Sequence, residues 1–297
     1  MSNSLILHQL VLNGLITGSI YALVAVGFTI VYRTMRFFHF AHGVVYAIGA
    51  YLAYTLAISL GLNPVLSFLL ASAFAGVVGV GIDRFVYYPL RRQKAANLVF
   101  LIASFGVFIF IQNLIQLIYG TQILTLRTGP VKEGHHILGA VITDIQILII
   151  AASLVLFVLC WLFIQKTKLG KAMRAVSDDP VGASVVGIHP EKIIFASFAI
   201  GSVLAGAAGI LISLETNIEP TMGMNAILKG IIASIVGGIG SIPGAMFGGF
   251  FLGLAENLGI WKISAGWKDC IAFLILIIFL LLRPGGIFGI KTKKEQL

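Results

Sequence analysis

Between residues 97 and 119 the chain reads NLVFLIASFGVFIFIQNLIQLIY, without one charged side chain. About 20 such residues in a helix cross a hydrocarbon core roughly 30 Å thick, and a helix apolar on every side is a core or membrane element. Comparable runs recur at 9–32, 37–60, 65–82, 144–164, 193–214, 226–258 and 269–282. With 59% of residues hydrophobic, 10% charged and a mean hydropathy of +1.03, no soluble domain fits. The chain is read as an all-α, polytopic integral membrane helix bundle of about eight to ten transmembrane segments, residues 1–297 forming a single transmembrane domain.

The run 226–258 is too long for one crossing, and GGIGSIPGAMFGG (237–249) interrupts it with glycines and Pro243. It is read as a broken helix. The 37–60 run is read either as a span or as partly re-entrant. Small residues recur four apart at Gly14, Gly18 and Ala22, at Gly201, Ala205 and Gly209, and at Gly240, Gly244 and Gly248, each set predicting a face of close helix approach.

The formal charge of +9 sits in short intervals between apolar runs, which explains it without a nucleic-acid partner. Most of the 20 Lys and Arg lie in 33–36, 83–96, 165–192 and the tail from 283. About nine crossings put all four intervals on one side, cytoplasmic by the excess of Lys and Arg in inner loops. The N-terminal run, which no Lys or Arg precedes, is read as a first span and not a signal peptide, with its start outside. The C-terminus, with Lys291, Lys293 and Lys294, ends inside, and 120–143 becomes the largest external loop.

Motifs for chemistry are few. No G-x-x-x-x-G-K-[ST] occurs, so the chain has no P-loop for ATP, and no G-x-S-x-G supports a hydrolase. No catalytic, cofactor-binding or metal residue is assigned. Cys160 and Cys270 lie in apolar stretches without metal or redox spacing. His39 and His42, three apart, would share one helical face, but no nearby Cys, Asp or Glu completes a zinc site. With the neighbouring Phe37, Phe38 and Phe40, His42 would fix the entry of a helix at the membrane boundary. Lys229 and Glu256 are the only charges well inside apolar runs, and a structural or interfacial role is preferred for both. Candidate pathway or gate positions are His39, His42, Gly240, Pro243 and Glu256.

The longest strongly polar interval is 165–192, QKTKLGKAMRAVSDDPVGASVVGIHPEK. Lys168 to Val176 is expected to continue helically from the preceding span until Ser177-Asp178-Asp179-Pro180 stops it. Asp179 is typed as an N-cap and Pro180 as a first helical residue, so Val181 to Val186 form a second short helix closed by Gly187 in a left-handed conformation. His189-Pro190-Glu191 then starts the next span. A helix this short is unstable alone, since even about 12–15 residues are marginal in water. Val181, Ala183, Val185 and Val186 would give it a compact face for a groove on a partner, the alternative being that it lies back on this chain's own ends among lipid headgroups.

NGLITGSIYALVAVGFTIVY (13–32), FAHG (40–43), GIDRFVYYPLR (81–91), LGKAMRAVSDDPVGASVVGI (169–188), GGIGSIPGAMFGGFFLGLAE (237–256) and PGGIFG (284–289) together resemble the permeases of branched-chain amino acid ABC importers, the LivH family. The motifs span nearly the whole chain in the family's order. The resemblance implies a bacterial inner-membrane subunit that pairs with a second related permease, two ATP-binding subunits on the cytoplasmic face and a periplasmic substrate-binding protein. It implies alternating access driven by ATP that those partner subunits bind. It makes 165–192 the ATPase-coupling loop, with Gly170, Arg174, Asp178, Asp179, Pro180, Ala183 and Gly187 as its candidate residues. His39 departs from the family, which commonly has Asn before FAHG. Permeases for urea or short-chain amides are a second reading, and an ATP-independent channel or a secondary transporter a third.

Overall fold

The computed structural model describes residues 3–127, 134–137 and 139–289. Lys291, Lys293 and Lys294 and part of the 120–143 loop lie outside the described residues. Seven helices among the described residues are long and apolar enough to cross a membrane, and one bent helix pair joins them. The helices are α1 (Asn3–Met35), α2 (Ala41–Tyr54), α3 (Pro64–Ile82), α4 (Tyr88–Arg92), α5 (Asn97–Tyr119), α6 (Asp144–Lys166), α7 (Lys168–Asp178), α8 (Pro180–Val185), α9 (Pro190–Glu215), α10 (Met222–Gly237), α11 (Ile242–Gly259) and α12 (Lys268–Leu282). Among the described residues, sheet is confined to a small antiparallel pair, β1 (His135–Ile137) and β2 (Ala140–Ile142), in the expected external loop.

Several boundaries differ from expectation. The third span does not stop at Ile82. A π-helical segment, Asp83–Tyr87, carries it on into α4, so part of 83–96 is helix and not loop. Pro89 has no N–H to give and its ring crowds the preceding turn, which accounts for the widened helix there. The 37–60 run forms one helix, α2, ending in a second π-helical turn at Thr55–Ser59. The break in 226–258 is shorter than 237–249: α10 and α11 meet at a 116° bend across four residues. Gly238 and Gly240 take positive φ there, and Ser241 caps α11 by accepting from the Gly244 amide. Pro243 sits in the first turn of α11, where a proline costs no hydrogen bond.

The chain divides into two compact units. The first comprises the described parts of 1–29, 129–154 and 228–297. Here the Gly14, Gly18 and Ala22 face of α1 meets α11, a Cβ on Gly18 falling 2.9 Å from the Phe250 Cα. The α11 residues that receive it are Gly249 and Gly253, whereas Gly244 and Gly248 face Gly237 and Ala233 of α10. Gly240 belongs to the bend and to neither face. Thr29 and Ser234 hydroxyls bond across α1 and α10 at 3.1 Å.

The second unit comprises the described parts of 30–128 and 155–227. Its core is α2 against α3 and α9, with backbones so close that a Cβ on Gly49 would enter Gly206 and one on Gly209 would strike the Tyr46 carbonyl. Such approach is the means by which helices associate where lipid supplies no hydrophobic drive. The outer faces of α5 and α12 instead expose Leu98, Ile102, Phe110, Leu274 and Leu281, as lipid-facing surfaces do.

Candidate functional site

The polar interval 165–192 forms a built structure. α6 ends at Lys166, and Thr167 starts a new helix by accepting from the Gly170 amide at 3.0 Å, so α7 is not a continuation of the preceding span. Thr167 also donates to the Phe163 carbonyl at 2.6 Å, and Arg174 donates to the Ile164 carbonyl. Gly170 packs so near those carbonyls that a side chain would collide with them. Thr167 and Arg174 thus finish α6, satisfying carbonyls that its end leaves open, while Gly170 fits beside them for want of a side chain. Met173 and Val176 bury the inner face of α7, which extends to Asp178, two residues beyond the expected stop.

Asp179 then caps α8 as its residue type predicts, its carboxylate accepting from the Val181 amide at 3.0 Å with Pro180 in the first turn. At the other end Gly187 has φ +86, its N–H donates to the Ser184 carbonyl at 3.1 Å, and the Ile188 N–H donates to Ala183 at 3.0 Å. This is the Schellman closure, which needs a residue tolerant of the left-handed conformation. Val181, Val185 and Val186 are 73%, 82% and 74% exposed. Ala183 is buried and so leaves the expected outer face: the helix rests on this chain by one side and presents three valines on the other.

Polar side chains hold both flanks of α8. On the entry side, Arg33 Nε donates to Ser177 Oγ at 2.7 Å, Arg33 Nη2 lies 3.4 Å from Asp178 Oδ1, and Arg36 Nη2 donates to the Ser177 carbonyl at 3.0 Å. On the exit side, Arg91 donates to Glu191 Oε2 at 2.8 Å and 3.2 Å and pairs with both oxygens of buried Asp83. The sequence reading singled out Asp178 but missed Arg33, Arg36 and Arg91. An acid at the boundary of a span followed eight residues later by arginine was the available signal for the Asp83 and Arg91 pair.

The histidines are both fully buried, with ring centroids 5.9 Å apart. His39 is not on α2, which begins at Ala41, but in the preceding turn, so the pair does not share a helical face. Its Nδ1 bonds the Tyr87 hydroxyl at 3.0 Å and its ring packs edge-on to Phe37, Tyr87 and Phe198, while Ser104 Oγ receives the Ala41 amide. The aromatic residues do anchor the helix entry. Among the described residues no three His, Cys, Asp or Glu side chains gather as metal ligands.

Glu256 and Lys229, separate in sequence, form a buried ion pair once α11 folds back along α10. Lys229 also contacts Asp269 Oδ1 at 2.8 Å, Tyr21 donates to Glu256 at 3.0 Å, and Lys268 reaches Asn257 at 3.0 Å. Four helices, α1, α10, α11 and α12, are tied by this one cluster. Pro243 and Glu256 stand near opposite ends of α11, about 20 Å apart at 1.5 Å per residue, so they do not form one site.

Fold and composition therefore define a multi-pass membrane protein with a constructed, outward-presenting polar segment between two of its spans. The family model for the branched-chain amino acid transport system permease component matches residues 10–280. The chain is 40% identical over 296 residues to the high-affinity branched-chain amino acid transport system permease protein BraD of Pseudomonas aeruginosa, covering 95% of each chain. It is similar to permease protein LivH of Escherichia coli, 36% identical over 294 residues with 95% of each covered. The probable LivH of Methanocaldococcus jannaschii is 29% identical, with 97% of this chain and 94% of the relative covered. The chain belongs to the family of branched-chain amino acid transport system permease components.

Proposed function

We propose that this chain is the membrane-spanning permease of an ABC importer for branched-chain or similar hydrophobic amino acids. The observation that carries the reading is α8, a capped helix of under two turns on which Val181, Val185 and the C-capping Val186 stay exposed among the described residues. A helix that short persists only on a supporting surface, and its outer face suits a groove on a soluble partner. The partner is an ATP-binding subunit, since this chain has no P-loop and its relatives are named as permease proteins of transport systems. Two such subunits on the cytoplasmic face, a second related permease and a periplasmic binding protein complete the importer, ATP being bound by the partners alone. The chain lies in the inner membrane with its N-terminus periplasmic and its C-terminus cytoplasmic.

ATP drives the cycle by population shift. It favours a closed arrangement of the ATPase pair, α8 moves with it, and the packed helices exchange outward and inward openings. The buried Lys229 and Glu256 occupy one another and Asp269, which supports assigning amino-acid selection to the binding protein. Uptake into vesicles carrying the assembled importer tests the reading: leucine and valine accumulate only with ATP and binding protein. Accumulation of urea or acetamide in their place would transfer the chain to the amide importers, and uptake without ATP would make it a channel.

A further inference from the structure

We propose that Arg33, Arg36 and Arg91 form a two-sided clamp that carries the movement of α8 into the membrane helices, a role resting on the reading of α8 as the ATPase contact. The two grips seize the residues on either side of that helix: Ser177 and Asp178 end α7, and Glu191 opens α9. Both lead to one place. Arg33 lies in the last turn of α1 and Arg36 directly follows it, and Met35 between them has its Sδ 3.6 Å from Arg91 Nη1. A displacement of α8 therefore pulls on α1 from one flank and, through Arg91, on α1, α3 and α9 from the other.

The bonds differ in strength, and that assigns the work. Asp178 is largely exposed, so its pairing with Arg33 contributes little. Ser177 is the anchor, held by one guanidinium at its hydroxyl and by a second at its carbonyl. Arg91 is mostly buried and meets two carboxylates at once, using the planar fork that lysine lacks. Arg36 adds a further sign of constraint. It ends α1 with φ +55, its N–H donating to the Tyr32 carbonyl at 2.7 Å, a conformation that glycine takes without strain. An arginine at this position keeps the strained backbone together with a side chain that reaches Ser177.

The reconstituted importer with leucine-loaded binding protein tests the clamp through three readings: ATPase subunits co-purified, ATP hydrolysed, and leucine taken up per ATP. Arg91→Lys and Arg36→Gly are expected to retain the subunits and hydrolysis while leucine per ATP falls about five- to tenfold, the usual span of a modest coupling between sites. Arg36→Gly removes the grip while relieving the backbone, and retained subunits and hydrolysis in that variant separate a loss of coupling from a folding defect. Unchanged leucine per ATP in both variants, with the complex intact, overturns the clamp and leaves the docking of α8 standing. Loss of the ATPase subunits from both variants also overturns it, because the arginines would then serve attachment. Failure of the unsubstituted chain to retain ATPase subunits overturns the docking reading and the clamp with it.

Discussion

Lys229→Met and Glu256→Gln neutralise the two members of one ion pair, yet their costs should differ. Removing the lysine leaves Glu256 fully buried with Tyr21 as its remaining hydrogen-bond donor. Stranding a buried charge costs about 3–5 kcal/mol. Removing the carboxylate charge is milder. Glutamine retains an acceptor for Tyr21, and Lys229 keeps Asp269 at 2.8 Å, whose side chain is 68% exposed and brings solvent near. A lost charged hydrogen bond with partial compensation costs about 1–2 kcal/mol. At roughly 2 °C per kcal/mol for a chain of this size, thermal unfolding in detergent should fall by about 6–10 °C for Lys229→Met and about 2–4 °C for Glu256→Gln. The double variant should be more stable than Lys229→Met alone, because glutamine removes the stranded charge. Equal losses in the two single variants, or additive losses in the double, would refute the assignment of Glu256 as a carboxylate held by Lys229.

Two further outcomes follow from local geometry. Gly209→Ala should lower the yield of folded protein on size-exclusion chromatography, since its Cβ would strike the Tyr46 carbonyl, whereas Gly81→Ala, with nothing within 4 Å, should match the unsubstituted chain. Asp179→Ala removes the cap of α8 at a cost of about 1 kcal/mol, so hydrogen exchange at the Val181 amide should quicken roughly fivefold while amides in α9 remain unchanged.

Elements whose cause is local were legible in the sequence. The spans follow from the thickness of hydrocarbon they must cross, and Asp179, Pro180 and Gly187 each settle their own turn through a cap, a fixed φ and freedom at positive φ. Thr167 was equally readable as a cap three residues before Gly170. Treating the stretch as one continuous helix overlooked that hydroxyl.

What remained hidden depends on neighbours remote in sequence. Glu256 meets Lys229 only after a 116° bend, and Arg91 meets Glu191 from another span. The small residues of α11 offer two faces, and packing decides which helix each one meets: Gly249 and Gly253 receive α1, whereas Gly244 and Gly248 approach α10. Ala183 was misplaced for a related reason. In so short a helix every apolar residue looks available, and contact with the rest of the chain selects the one that turns inward. The span ending at Arg92 was cut short because Asp83 and Arg84 resemble a membrane boundary. Asp83 is instead matched by Arg91, which lets the charged segment remain helical.

The central claim is that α8 is the surface through which separate ATPase subunits act on this chain. Site-directed cross-linking tests it most directly, with Val185→Cys in a Cys270→Ser background, since Cys270 is exposed whereas Cys160 is buried. Val185→Cys should cross-link to an ATPase subunit in the assembled importer, with a yield that changes on adding ATP. A cross-link only within this chain, or none while leucine uptake proceeds, would contradict the account.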